Sequence, residues 1–130
     1  MPTGLTKDSG WQIGVSRTLP YLPEEVWDLI SGREGLALWL GPGTALSPDL
    51  GVRYRTLGGV TGEVRGYRRG ERIRVTHDAT TVQVSVTPAN DGAATVLRFH
   101  QERMASAQER SRQRAHWQQV MIEVVAALEG

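Results

Sequence analysis

Proton transfer near neutral pH falls most naturally to histidine, and this 130-residue chain has three: His77, His100 and His116. No two of them share a metal-ligand spacing, and no acidic residue stands at the helical interval that would complete a zinc site. The sequence therefore predicts neither metal nor cofactor, and no catalytic residue. Among the carboxylates, Glu63, Glu71 and Glu102 are the candidates for general acid–base work, which needs a perturbed pKa and reach to a substrate. Strand alternation sets Glu63 on the face opposite Val64, with Arg65 beside it, so it reads as a solvated strand residue. The chain lacks cysteine, which removes thiol nucleophiles, cysteine metal sites and a disulfide framework together. No serine nucleophile elbow, phosphate loop or dinucleotide fingerprint occurs, and Gly58-Gly59-Val60-Thr61-Gly62 reads as a turn because no helix follows it.

The one marked charge feature is arginine. Arg65, Arg68, Arg69, Arg72 and Arg74 fall on one predicted hairpin, and Arg110, Arg112 and Arg114 on the start of the last helix. They form either a docking patch for an acidic protein partner or a solvated face partly neutralised by Glu63, Glu71 and Glu109. Net charge is +1, which gives no general drive toward nucleic acid or an anionic membrane. Of the 15 basic residues only Lys7 is lysine, the bias of a GC-rich, bacterial genome. The N-terminus has no apolar run after its basic residue, and no window approaches the roughly 18 apolar residues of a membrane span. The expectation is a soluble, cytoplasmic protein that binds neither nucleic acid nor membrane.

These residues must be held by a simple order of elements. Trp11, Ile13 and Val15 alternate with polar residues in a first strand over 11–18. Pro23 opens a short helix with Glu24 and Glu25 at its positive end, and Gly32 reads as its left-handed cap. A second short helix over 34–40 carries Leu36, Trp39 and Leu40 inward, and Gly41-Pro42-Gly43 stops it. Five strands follow, over 52–57, 60–67, 71–77, 80–87 and 94–101, on connections too short for parallel crossovers. The last helix starts at the capping box Ser106-Ala107-Gln108-Glu109 and runs to 128 without Pro or Gly. Trp117, Val120, Met121, Val124 and Leu128 share one of its faces. Length allows one domain, over 11–130, after a tail of ten residues. The economical architecture is α+β: a six-stranded curved antiparallel sheet gripping the long C-terminal helix.

With this order in hand, the chain resembles the START-like (SRPBCC, helix-grip) superfamily, in the branch similar to the C-terminal domain of the activator of heat-shock protein 90 ATPase. The resemblance rests on Pro23-Glu24-Glu25-Val26-Trp27, Glu34-Gly35-Leu36-Ala37-Leu38-Trp39-Leu40, Gly51-Val52-Arg53-Tyr54, Gly62-Glu63-Val64, Glu71-Arg72-Ile73 and Trp117. It departs from the family in the short hairpin Thr76-His77-Asp78-Ala79-Thr80. It implies a cavity between sheet and last helix, lined by Trp39, Tyr54, Val84, Phe99, Trp117 and Met121 with Val64 beside them. The same residues would equally build a filled core. The reading it favours is a non-catalytic domain holding an apolar, lipid- or polyketide-like small molecule, as monomer or homodimer. The alternatives are a protein-interaction or co-chaperone module, and an aromatase- or cyclase-like enzyme using Tyr54 and His116.

Overall fold

The computed structural model describes residues 3–6 and 10–130. Of the expected N-terminal tail, residues 1, 2 and 7–9 lie outside the described residues. Its order is β1 (Leu5–Thr6), β2 (Gly10–Leu19), α1 (Pro23–Ser31), α2 (Arg33–Trp39), β3 (Arg53–Arg55), β4 (Thr61–Arg68), β5 (Arg72–His77), β6 (Thr80–Ala89), β7 (Ala94–Met104) and α3 (Ala107–Glu129). The strands form one antiparallel sheet in the order β1-β2-β7-β6-β5-β4-β3. The six expected strands and the long C-terminal helix make the helix-grip fold. The two-residue β1, within the stretch expected to be a tail, adds a minimal edge beside Trp11 and Gly10.

Alternation explains the layers. Ile13, Val64, Ile73, Val75, Val82, Val84, Val86, Leu97 and Phe99 point to the concave face and are buried there. From the helices, Val26, Trp27, Ile30, Leu36, Trp39, Trp117, Val120, Met121 and Val124 close over them. Two irregularities sharpen the sheet's curl. One extra residue in β7 lies between the pairs Trp11↔Met104 and Ile13↔Gln101, where Arg103 takes φ +66°. A second, Arg65, interrupts the register between Val64↔Val75 and Gly66↔Arg74. Such bulges raise the local twist of the strands that carry them.

Helix boundaries follow local chemistry. Ser106 Oγ accepts from the Glu109 amide at 3.0 Å, as the capping box predicts. The Glu109 carboxylate reaches back one residue further than expected, accepting from the Ala105 amide at 3.3 Å. Gly32 is not a left-handed cap: with φ −86° and ψ 172° it is extended, and it serves as C-cap of α1 and N-cap of α2 at once. What requires glycine in this corner is Gly35, where a Cβ would stand 1.9 Å from the Leu29 carbonyl oxygen. Among the described residues no helix is long and apolar enough to cross a membrane.

Candidate functional site

α3 lies mainly over β2, β7 and α2, so the space between it and the β3–β5 side of the bowl is spanned by side chains. Tyr54, Val84 and Phe99 rise from the sheet, Trp39 comes from α2, and Trp117 and Met121 descend from α3. All six residues named from the sequence meet in one apolar cluster, each no more than 6% exposed. Phe99 and Trp117 stack with centroids 5.0 Å apart and planes inclined by 17°. Trp39 is fixed by its Nε1, which donates to the Ile30 carbonyl at 2.9 Å.

One end of this packed cluster is polar. Gln101, the next inward residue after Phe99 on β7, is buried; its Oε1 accepts from Trp117 Nε1 at 2.9 Å and from Gln113 Nε2 at 2.8 Å. Its Nε2 donates to Thr80 Oγ1 at 3.0 Å, and that hydroxyl donates to the His77 carbonyl at 2.7 Å. Across the same end, the Tyr54 hydroxyl donates to the Thr76 carbonyl at 2.6 Å and lies 2.8 Å from His77 Nδ1. His116 meets Trp117 edge to face at 4.8 Å.

The reach of Tyr54 depends on Gly62. The two residues are opposite one another on β3 and β4, and a Cβ at Gly62 would stand 2.7 Å from the ring and 1.8 Å from the Thr76 oxygen. A tyrosine over a glycine is thus what lets β3 reach a group on β5, two strands away.

The protonation states follow from the hydrogen bonds. A phenol has one proton, and Tyr54 spends it on Thr76, so it accepts from His77; the imidazole then carries its hydrogen on Nδ1 and leaves Nε2 as an acceptor. Burial pushes the Tyr54 phenol well above the usual tyrosine range, so it stays protonated. Burial also lowers the His77 pKa, Asp78 raises it in part, and His116 lowers it further. The cluster can orient one polar group of a ligand with a neutral acceptor, His77 Nε2. Among the described residues no carboxylate or nucleophile completes a triad with it, and no group of three metal-ligating side chains occurs.

The remaining histidine and the carboxylates lie on the convex face. His100 is half-buried, with Nε2 2.9 Å from Gln12 Oε1. Glu63 pairs with Arg65 at 2.6 Å, and Glu102, nearly buried, pairs with Arg74. On the arginine hairpin, Arg68 and Arg72 are cross-strand partners and Arg74 follows two residues on along β5, so the three share one face. Arg65 and Arg74 border a cavity of about 370 Å³, while Arg68 and Arg72 border a second of about 430 Å³. Arg69 turns toward Trp27 and Asp28 of α1 and a third of about 420 Å³. Sequence reasoning missed Gln101 and Thr80; counting two residues on from Phe99 would have found the first.

No family model matches this sequence, and no curated protein matches it. Solved structures do. A protein of Mesorhizobium loti superposes with TM-score 0.77 at 19% identity, covering 91% of this chain and 96% of its own. The Aha1 dimer of Colwellia psychrerythraea gives 0.73 at 15% identity, covering 91% and 96%. DynU16, a protein in the dynemicin biosynthetic locus, gives 0.75 at 19% identity; the match covers 91% of this chain and 47% of DynU16.

Proposed function

We propose that this chain is a START-like domain, spanning 11–130, that holds an apolar small molecule between sheet and α3 in the cytoplasm, without catalysing a reaction. The observation that carries the reading is the convergence of Tyr54, His77 and Gln101 on one end of an otherwise apolar, packed cluster. Sites for small molecules have that composition: apolar walls with a few placed polar groups that fix orientation. The ligand's apolar body displaces side chains rather than backbone, since Met121 is an adaptable wall and α3 is not seated over β3–β5. Its polar end takes the acceptor offered by His77. The likeness to DynU16 directs the choice of ligand toward biosynthetic small molecules, with lipids as the second class to try.

Native mass spectrometry of the chain purified from its own host, followed by titration with long-chain fatty acids and fused-ring aromatic phenols, tests this. The reading expects a retained small molecule or saturable binding that shifts tryptophan fluorescence and weakens in Tyr54→Phe. Binding to none of the panel, with no co-purifying mass, overturns it.

A further inference from the structure

We infer that the free edge of β3 is a docking site for an extended acidic peptide segment, which adds to the sheet as an eighth strand. β3 is the last strand of the sheet, and its ladder to β4 engages alternate residues. Val52 accepts from Val64, Tyr54 is paired with Gly62, and Thr56 donates to Val60. The amides and carbonyls of Arg53 and Arg55 therefore point away from β4, along the open edge. The loop between α2 and β3 meets the far end of this strand, where the Leu57 amide donates to the Pro42 carbonyl.

Side chains mark the same edge. Among the described residues five large hydrophobics are exposed, and three of them flank β3: Leu50 at 69%, Val52 at 40% and Leu57 at 82%. Arg53 and Arg55 are both exposed and neither has an ion pair, because Glu63, opposite Arg53, is engaged by Arg65. A shallow cavity of about 320 Å³ lies between Arg53, Tyr54, Arg55 and Thr61.

The charge selects the occupant. A second copy of this chain paired β3 to β3 would set Arg53 and Arg55 against their own counterparts, which opposes self-association at this edge. An incoming strand with carboxylates at alternate positions would instead meet both guanidinium groups on one face. Its intervening apolar residues would lie on the other face, beside Val52. Main-chain hydrogen bonds would supply affinity and the alternating side chains the selectivity.

The test uses a fluorescein-labelled eight-residue peptide with Glu alternating with Val and Thr, titrated into the full chain and read by anisotropy. Two controls accompany it: the same peptide N-methylated at alternate residues, and the chain carrying Arg53→Glu with Arg55→Glu. Saturable binding that falls about tenfold or more with each change supports an added strand. Binding that survives N-methylation means charge attraction alone and overturns the proposal. So does no binding, or a dimer in sedimentation that the arginine reversals dissolve.

Discussion

The Tyr54 hydroxyl stands 2.8 Å from His77 Nδ1 while giving its own proton to the Thr76 carbonyl, so His77 is held neutral with Nδ1–H facing the phenol. Three strands are needed for that contact, because Tyr54 on β3 passes over Gly62 on β4 to reach β5. The candidate site is a consequence of this one close approach.

The first prediction concerns acid. His77 is depressed by burial and by His116 against the pull of Asp78; His116 is depressed by burial against Glu123. His100 is depressed by burial, Arg98 and Arg74 against Glu102. With all three folded-state values below the unfolded one, the unfolded chain binds more protons in the interval between them. Stability is then complete above about pH 6.5, declines as pH falls from there, and levels once the folded values are passed. Urea midpoints between about pH 7.5 and 5.5 should show this decline. His77→Asn, whose amide can still donate to Tyr54, should make it shallower.

Gly62→Ala should destabilise the fold by about 1–3 kcal/mol, the cost of overpacking, since the new methyl meets both the Tyr54 ring and the Thr76 carbonyl. Chemical denaturation measures the loss. In a double-mutant cycle, Gly62→Ala should cost less in a Tyr54→Ala background than in the parent chain, because removing the ring vacates one of the two obstacles.

Trp117→Ala should cost about 3–5 kcal/mol, as it removes a fully enclosed ring stacked on Phe99. Trp117→Phe keeps the stack and loses the bond to Gln101, whose oxygen still receives Gln113; about 1 kcal/mol is expected. Thermal and urea unfolding of the pair separate packing from hydrogen bonding.

On the convex face, Arg74→Met leaves the nearly buried Glu102 carboxylate without its cation and should cost about 2 kcal/mol. The double change Arg74→Met with Glu102→Met should recover most of that, since replacing both members of an enclosed pair is far milder than orphaning one. A double-mutant cycle by urea denaturation reads the difference.

Much of this architecture was legible because the signals are periodic. Trp117, Val120, Met121 and Val124 share a helix face by spacing alone, and Val82, Val84 and Val86 share a strand face by alternation. The six chamber residues likewise come together, and they do so packed against one another. What periodicity concealed were polar residues on the inward face: His77 follows Ile73 and Val75, and Gln101 follows Leu97 and Phe99, yet their chemistry reads as outward. The bulges fall at Arg65 and Arg103, residue types that announce no break in a strand. The contact of Tyr54 with His77 spans non-adjacent strands, so no local pattern in the sequence encodes it.

The central claim is that a small molecule's apolar body sits against α3 while its polar end meets Tyr54 and His77. The chain has only three methionines, so its methionine-methyl spectrum is simple. With protein labelled at the methionine methyls and a saturating ligand from the panel, intermolecular NOEs measure the placement directly. The account predicts contacts from the Met121 methyl to the ligand's apolar body. A bound ligand with no contact to Met121, and an unshifted Met121 resonance, would contradict it.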